Sequence, residues 1–270
     1  MDSILRIVDL FGLRPILVAL MVFVPLERVL ALHREQTIFR RGVITDFCYV
    51  LFNGVTGNFF ASIMLVVAFS AASIFVPVGL LQRVIAQPIW VQVIEIIVIT
   101  DLGVYAAHRM FHTVPFLWRF HMIHHSVEEM DCMAAFHVHP VDQFITKAMA
   151  LLPVFFLGFS DNAILIYYAI YLWHAMLIHA NVRLTFGPLR WLIATPQFHH
   201  WHHADERKAY DKNFAGQLAI IDLILGTYRL PRTSMPEKYG VKEGVPTSFF
   251  GQIGFPFARR KSRRPQSVGN

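Results

Sequence analysis

The sequence predicts an all-α integral membrane protein with about three transmembrane helices, a further helical hairpin and a histidine-rich helical cap on the cytosolic side. Hydrophobic residues make up 55% of the 270 residues and charged residues only 16%, and the mean hydropathy is +0.48. This balance is typical of a chain embedded in lipid rather than of a water-soluble domain. Thirteen of the fourteen histidines fall within two windows, 108–139 and 174–203, which indicates a specialised site rather than ordinary packing.

Three apolar stretches precede the first histidine window. The first candidate span covers residues 13–32, and Glu27 and Arg28 interrupt it near one end, where both could reach the lipid headgroups. The second covers 43–76 and is long enough for a tilted span with an interfacial extension. The third covers 89–107. We interpret the N-terminus as part of an uncleaved first helix because no small-residue cleavage site follows it.

A fourth apolar run, at 144–178, is broken by Pro153 and by the stretch 158–162. Its halves have about fifteen residues each, which is short for a full span. Two readings stay open, a helical hairpin that crosses and returns or a shallow re-entrant pair. In both readings the ends of the run lie on one side of the membrane, so the two histidine windows share a face.

Basic residues indicate which face this is. Arg34, Arg40 and Arg41 lie in the linker between the first two spans, so the positive-inside rule places that linker, and then the histidines, on the cytoplasmic side. The tail at 259–264 is also basic, and we expect it to be disordered. Because both basic clusters flank apolar segments, they indicate contact with anionic lipid headgroups rather than with nucleic acid.

The histidines are spaced as metal ligands on helices. His108 and His112 are four residues apart, so both rings project from one helix face. Spacings of three and four recur in two later motifs, in which an adjacent pair could reach two neighbouring ions. These motifs are His121, His124 and His125, and His199, His202 and His203. Since one ion takes roughly four to six ligands, this number of histidines predicts two ions.

Other residues narrow the kind of centre. Cys48 and Cys132 form no Cys-x-x-Cys motif, which argues against an iron–sulfur or thiolate-zinc site. Imidazole ligands suit iron, copper, nickel and zinc. Trp201 is expected to form a wall of the centre, and the other tryptophans to lie at the membrane interface. Four aspartates could orient the ring N–H groups, namely Asp101, Asp142, Asp205 and Asp222.

Two other classes of protein stay open at this point. A metal transporter or sensor would place its ligands near the bilayer midplane, often with acidic residues, whereas these histidines follow the end of a span. A zinc hydrolase would keep three ligands and an open position, which is fewer than this chain offers.

The motifs together resemble the fatty acid hydroxylase / sterol desaturase superfamily, and the resemblance extends in order from Asp101 to Tyr228. The matching segments are Asp101-x3-Tyr105-x2-His108-Arg109-x2-His112, His121-x2-His124-His125, Ala135-Phe136-His137-Val138-His139-Pro140, His199-x2-His202-His203, Lys212-Asn213-Phe214 and Asp222-x3-Gly226-Thr227-Tyr228. The resemblance implies a membrane di-iron monooxygenase that uses O2 and two electrons to hydroxylate or desaturate a lipid, such as a fatty acyl lipid or a sterol. A carotenoid or a lipid headgroup is the alternative substrate for the same centre.

The resemblance also implies a division of the chain and a set of ligands. Transmembrane helices would occupy 1–100, the catalytic domain 101–230 with its membrane hairpin at 144–180, and a C-terminal extension 231–270. The implied ligands of two iron ions, or of zinc in their place after purification, are His108, His112, His121, His124, His125, His179, His199, His202 and His203.

Several roles stay open. Relatives usually carry arginine where this chain has His137, so His137 and His139 are either additional ligands or groups that hydrogen-bond to the ligands. The same two roles are open for Asp101, Asp222 and Trp201, and His174 has no assigned role. Because the chain has no G-x-G-x-x-G motif and no clustered cysteines, we expect a separate electron donor, a ferredoxin or a cytochrome b5-like protein with its reductase.

Overall fold

The computed structural model describes residues 12–231 and 234–258, and the secondary structure in these ranges is helical apart from isolated β-bridges. The expectations for the extreme N-terminus and for the basic tail lie outside the described residues. The α-helices are α1 (Leu13–Val29), α2 (Val43–Phe75), α3 (Val78–Ile85), α4 (Ile89–Thr113), α5 (Pro115–His125), α6 (Pro140–Leu157), α7 (Asp161–His179), α8 (Pro196–His202), α9 (Ala219–Leu225) and α10 (Phe249–Gly254). Short 3-10 helices lie at Cys132–Phe136, Gly187–Trp191 and Phe255–Phe257.

Four of the described helices, α2, α4, α6 and α7, are long and apolar enough to cross a membrane. Two of them correspond to the second and third expected spans, and the other two form the hairpin. The first expected span, 13–32, forms the 17-residue helix α1 and is not among the four. The protein is therefore a helical integral membrane protein, as the sequence predicts. Its first helix, α1, differs from the transmembrane span that was expected at 13–32.

The hairpin helices α6 and α7 have 18 and 19 residues, which is longer than the sequence suggested. Helix α6 continues through Pro153, and the break between the helices is confined to residues 158–160. Gly158 ends α6 in the left-handed region at φ 71°, a conformation that glycine adopts without steric penalty. Ser160 then begins α7 by accepting a hydrogen bond from the Ala163 backbone N–H. These lengths favour a crossing hairpin over a re-entrant pair.

Helix α1 is attached to the histidine-rich region by Glu27. This side chain is 4% exposed, and its Oε1 accepts hydrogen bonds from the backbone N–H groups of Cys132 at 2.8 Å and Asn181 at 2.9 Å. The expectation that Glu27 reaches the lipid headgroups is therefore wrong. A buried carboxylate is retained here because it satisfies N–H groups at the ends of two other elements.

Hydrogen bonds show which helix ends lie together. Near the start of α2, Asn53 Nδ2 donates to the backbone carbonyl of Val138 at 2.8 Å, next to the start of α6. At the opposite end of α6, the Ser160 backbone N–H donates to Gln92, in the first turn of α4, at 2.9 Å. The histidine-bearing ends of α4, α5 and α7 therefore share one end of the bundle with the start of α2 and the end of α1.

Arg40, in the basic linker, lies inside the protein. Its Nε donates to Asp131 at 2.6 Å and its Nη2 donates to Asp46 at 2.6 Å, and its side chain is 2% exposed. The expectation of a lipid contact is wrong for this residue, because its charge is neutralised by two buried carboxylates. Arg34 and Arg41 are exposed, as a surface linker requires.

Helices α4 and α6 approach each other at Gly103. A Cβ atom built on Gly103 would lie 2.8 Å from the Ala150 Cα and closer still to the Met149 carbonyl. No larger residue fits without separation of the two helices, because both clashes involve backbone atoms.

We expect Gly103→Ala to lower the free energy of unfolding by about 1–3 kcal/mol, the usual cost of forcing an extra methyl group into a packed interior. Gly79→Ala in α3 is the matched control, since nothing lies within 4 Å of its Cβ position and alanine favours the helix. Thermal unfolding in detergent, followed by circular dichroism, measures both. Equal midpoints for the two variants would contradict the close α4–α6 contact.

Candidate metal centre

Nine largely buried histidines meet where α4, α5, α7 and α8 converge, and they form two groups. Within each group every histidine offers one ring nitrogen, and these nitrogens all lie within 4.8 Å of one another. The five-histidine group consists of His108, His112, His121, His125 and His202, and the four-histidine group consists of His124, His179, His199 and His203. These are the nine residues that the sequence analysis named as ligands.

Helix geometry explains how adjacent histidines serve different groups. On α5, His121 and His125 are four residues apart and share a face, whereas His124 points to the neighbouring group. At the end of α8, His202 and His203 are divided in the same way. The groups also touch, because the rings of His125 and His203 are stacked with centroids 4.5 Å apart.

The Nε2 atoms of the histidines face one another inside each group. In the five-histidine group, His125 Nε2 lies 3.2 Å from Nε2 of both His112 and His121. In the four-histidine group, His199 Nε2 lies 2.9 Å from that of His179 and 3.1 Å from that of His203. Two imidazole nitrogens bound to one ion at about 2.1 Å, at ligand angles of roughly 90–110°, lie about 3.0–3.4 Å apart. The spacing therefore fits nitrogen atoms that share an ion.

In several of these histidines an oxygen acceptor holds the opposite ring nitrogen, Nδ1, which fixes the tautomer. His108 Nδ1 lies 2.7 Å from the Phe214 carbonyl and His202 Nδ1 lies 2.7 Å from the Lys212 carbonyl. A proton on Nδ1 leaves the Nε2 lone pair free for a metal. The buried Nε2 atoms of His108 and His202 have no partner within the protein, as expected for ligand atoms.

Burial keeps these rings neutral. Desolvation, together with the neighbouring imidazoles, lowers the pKa of the cluster histidines that lie outside the spanning helices to well below the usual value near 6.5. These residues are His121, His124, His125, His199, His202 and His203. A neutral imidazole is the form that binds a metal ion, so the site is prepared for cations at neutral pH.

Among the four predicted aspartates, Asp142 contacts a cluster ring directly. Its Oδ2 lies 2.7 Å from His121 Nδ1, and Oδ1 accepts a hydrogen bond from the Thr146 hydroxyl at 3.2 Å. A carboxylate in this position orients the imidazole and raises its basicity towards a metal.

We expect Asp142→Asn to weaken metal binding at the five-histidine group by about 10- to 100-fold, because the asparagine carbonyl cannot supply the charge that supports the His121 ring. Competition with a chromophoric chelator measures the affinity. Asp161→Asn, in the first turn of α7, is the charge-matched control, and it should leave the affinity unchanged. An unaltered affinity in Asp142→Asn would show that the hydrogen bond does not tune the site.

Asp101 and Asp222 act through a loop rather than on the rings themselves. Asp101 accepts hydrogen bonds from three successive backbone N–H groups at 216–218, and Asp222 accepts from those of Phe214 and Ala215 at 2.8 and 2.7 Å. This loop carries the carbonyl groups that hold His108 and His202. The carboxylates of Asp101 and Asp222 thus contact backbone N–H groups and not ring nitrogens, and Asp205 accepts from the Tyr210 hydroxyl.

The remaining predicted residues lie outside the two groups. The His137 carbonyl is 3.2 Å from His124 Nδ1 and its ring contacts Asp46, so His137 supports the four-histidine group. His139 instead begins α6, with its Nδ1 accepting from the Val141 backbone N–H. The Trp201 indole donates to the Ser234 carbonyl at 3.0 Å and packs with Ala204, Ala209 and Leu230.

His174 and His200 also make structural contacts. His174 Nε2 lies 2.9 Å from the Ala194 carbonyl. His200 is fully buried, with Nδ1 2.9 Å from the Tyr239 hydroxyl and Nε2 3.1 Å from the Ala180 carbonyl. Both nitrogens of His200 are thus used within the protein, and neither is available to an ion.

Sequence analysis missed the tryptophan that lies against the centre. The Trp118 ring is 4.9 Å from that of His112 and 5.3 Å from that of His125, although it was expected at the membrane interface. Its position three residues before His121 on α5 was the available signal, because residues three apart share a helix face.

A cavity of about 430 Å3 lies against the two groups. His112, His125, His202 and His203 form one side of it, and Trp118 lies beside them. The remaining lining residues come from 204–211 and 240–243. A reactant in this cavity would contact both histidine groups.

Comparison with known proteins gives related sequences. The family model described as fatty acid hydroxylase matches residues 93–227, half of the chain. The chain is 32% identical over 173 residues to the ornithine lipid hydroxylase OlsE of Rhizobium tropici. The aligned part covers 64% of this chain and 52% of that protein.

Two further relatives are alkylglycerol monooxygenases. The Xenopus tropicalis protein is 31% identical over 147 residues, 54% of this chain and 31% of its own length. The Homo sapiens protein is 34% identical over 128 residues, 47% of this chain and 28% of its own length. The matched part thus spans about half or less of these relatives. No solved structure matches significantly. The family match contains all nine clustered histidines, and the chain belongs to the fatty acid hydroxylase family.

Proposed function

We propose that the protein is a membrane di-iron oxygenase that hydroxylates a lipid with O2 and two external electrons. The observation that carries the proposal is the pair of adjacent, all-nitrogen groups whose Nε2 atoms converge. One ion per group uses all nine histidines as ligands. The names of the relatives, which include hydroxylase and monooxygenase, favour hydroxylation over desaturation.

Iron is the metal that suits this chemistry. Imidazole groups bind iron, copper and zinc, but insertion of oxygen into an unactivated C–H bond requires a redox-active centre, which no side chain provides. A zinc hydrolase would need only three of these ligands. The reaction balances as C–H + O2 + 2e− + 2H+ giving C–OH + H2O.

The protein's own residues position and isolate the centre. The iron ions, when bound, supply activation of O2. The carbonyl groups of Lys212 and Phe214 keep the rings of His202 and His108 in the tautomer that presents Nε2. Burial of the rings excludes water from the inner side of the centre, and the cavity beside Trp118 admits the substrate.

The membrane part of the structure supports a proposal for the orientation and for the partners. The histidines lie at the end of the bundle where the α1–α2 linker carries the exposed Arg34 and Arg41, which favours a cytoplasmic centre. A cytoplasmic centre is accessible to a soluble or membrane-anchored donor, and we propose a ferredoxin or a cytochrome b5-like protein with its reductase. The lipid would come from the adjacent leaflet.

The test is hydroxylation under 18O2. Purified protein, loaded with ferrous iron and supplied with a ferredoxin, its reductase and a total lipid extract, should yield lipids heavier by one 18O atom. Incubation under 16O2 in 18O-labelled water is the control, and it should give no label in the product. Iron-loaded protein that consumes no O2 and forms no labelled lipid with any donor would refute the oxygenase proposal.

A further inference from the structure

A lysine lies within α6, one of the helices that can cross the membrane. Lys147 comes seven residues after Pro140, the first residue of this helix. A charged side chain in such a segment is costly in lipid, and it is retained where it meets a countercharge or forms a binding site. The metal centre does not use this lysine, because the contact of α6 with the clustered histidines is made by Asp142.

The lysine ammonium faces helix α2 at a glycine. A Cβ atom built on Gly57 would lie 3.3 Å from Lys147 Nζ and 3.6 Å from the side-chain oxygen of Gln143, Oε1. Gln143 and Lys147 are four residues apart, so their side chains share one face of α6. Because Gly57 has no side chain, the ammonium and the amide lie together in a groove between α2 and α6. Both side chains are half-buried, so the groove is partly open to its surroundings.

The two polar groups in this groove have no partners of their own. Across residues 12–231 and 234–258, no carboxylate forms an ion pair with Lys147, and neither its Nζ nor the Gln143 side-chain amide makes a hydrogen bond. Arg40, by contrast, is held by two carboxylates. An ammonium and an amide N–H2 group together supply a positive charge and several donors, which is the complement of an anion with several acceptor oxygens.

The register of the two helices gives the level of the groove. Asn53, one turn before Gly57, donates to the Val138 carbonyl at 2.8 Å, next to the start of α6. Gly57 therefore lies about one turn, roughly 6 Å, beyond that start. Lys147 extends back to this level from a deeper turn, as a snorkelling lysine does. Because the ends of membrane spans lie at the level of the lipid headgroups, the anion within reach is the phosphate of a phospholipid.

Apolar side chains flank the polar groups. The rings of Phe60 in α2 and Phe144 in α6 are in contact, with centroids 4.7 Å apart, and Phe144 is 38% exposed. An acyl chain attached to a phosphate at Lys147 would cover these rings and bury apolar surface. A phospholipid thus satisfies both the polar and the apolar part of the groove, whereas a phosphate ion satisfies only the polar part.

We propose that the groove between α2 and α6 binds the phosphate of a phospholipid, with Lys147 as its countercharge and Gln143 as a hydrogen-bond donor. Gly57 leaves the space that the phosphate occupies. The site is distinct from the cavity at the metal centre, which is lined by other residues. The proposal does not depend on the oxygenase function, because binding requires neither O2 nor electrons.

Calorimetry with the iron-loaded full-length protein in a nonionic detergent tests the binding. Dihexanoyl phosphatidylglycerol, below its micellar concentration, should bind wild type at least about tenfold more tightly than Lys147→Met, because the variant loses a charge-assisted contact. Gly57→Leu keeps the lysine but fills the groove, and it should weaken binding by a similar factor. Arg83→Met removes an exposed cation from α3, outside the groove, and it should bind like wild type.

Two further ligands identify the source of the phosphate. Dihexanoylglycerol has the same acyl chains and no phosphate, and inorganic phosphate has no acyl chain, so both should bind at least about tenfold more weakly than the phospholipid. Equal affinities of wild type and Lys147→Met for the phospholipid would overturn the proposal. So would binding of either of these two ligands as tight as that of the phospholipid.

Thermal unfolding separates a lipid site from a structural role of the lysine. In lipid-free detergent, Lys147→Met should unfold at or above the wild-type midpoint, because it removes an unpaired charge from apolar surroundings. Saturating phospholipid should then raise the midpoint of wild type and leave that of Lys147→Met unchanged, since a ligand stabilises only a state that binds it. A lower midpoint for lipid-free Lys147→Met, or equal lipid responses of the two proteins, would contradict the lipid site.

Discussion

Replacement of His112 or His179 by alanine is expected to lower lipid hydroxylation by at least about 100-fold. His112 belongs to the five-histidine group and His179 to the four-histidine group, so each change removes one nitrogen from a different ion. Loss of groups that merely support a ligand already costs about 10- to 100-fold in metal affinity or activity, and loss of the ligand itself should cost more. The measurement is the initial rate of labelled-product formation under 18O2.

His174→Ala is the matched control, since it removes the same imidazole from the same helix as His179. The His174 ring is bonded to the Ala194 carbonyl and lies outside both groups. This variant should keep more than half of the wild-type rate. If all three variants lost activity equally, the loss would reflect helix packing, and the assignment of the two groups would be wrong.

Arg40→Ala is expected to lower the free energy of unfolding by about 3–5 kcal/mol, the largest effect on stability that we predict. The change removes the guanidinium that holds Asp46 and Asp131 and leaves two buried carboxylates without their countercharge. The damage should also reach the centre, because Asp46 bonds to His137, whose carbonyl holds His124. Chemical unfolding in mixed micelles measures the loss.

Arg41→Ala is the neighbouring control. Its side chain is exposed, so the change should alter the unfolding free energy by no more than about 0.5 kcal/mol. A double variant, Arg40→Met with Asp131→Leu, should be more stable than Arg40→Ala alone, because it removes one of the orphaned charges with its partner. Equal stability of Arg40→Ala and wild type would contradict a buried ion-pair network.

The grouping of the histidines could be predicted from sequence because the helical period determines the direction in which each side chain projects. His121, His124 and His125 lie within one helix, α5, and spacings of three and four residues specify which rings share a face. His179 was assigned by its resemblance to the family pattern, and the structure brings it within reach of His199. The division of adjacent histidines between two ions was also accessible from the helical period.

Contacts between distant segments were not accessible in the same way. Arg40 was interpreted as a surface residue because a basic linker beside apolar spans usually faces lipid headgroups. Its two partners, Asp46 and Asp131, lie 85 residues apart in the sequence, and no local pattern connects them. Glu27 was misinterpreted for the same reason, since its partners Cys132 and Asn181 belong to the far histidine region.

The cavity wall shows a further limit of the sequence. The segment 231–270 was predicted to be a C-terminal extension, but the position of its residues near the metal centre depends on single contacts from Tyr239 and Gly240. Neither residue belongs to a motif with a fixed spacing. The contact of Trp118 with His112 and His125 could not be predicted from sequence either. An aromatic residue next to a membrane helix is equally common at the membrane interface.

Metal content per chain is the most direct test of the central claim, that nine histidines form two adjacent metal sites. Elemental analysis of detergent-purified, iron-reconstituted protein should give two irons per chain for wild type and for His174→Ala. His112→Ala and His179→Ala should each lose iron, and together in one chain they should lose both ions. One ion or none in the wild type, or a content unchanged by these substitutions, would contradict the binuclear centre.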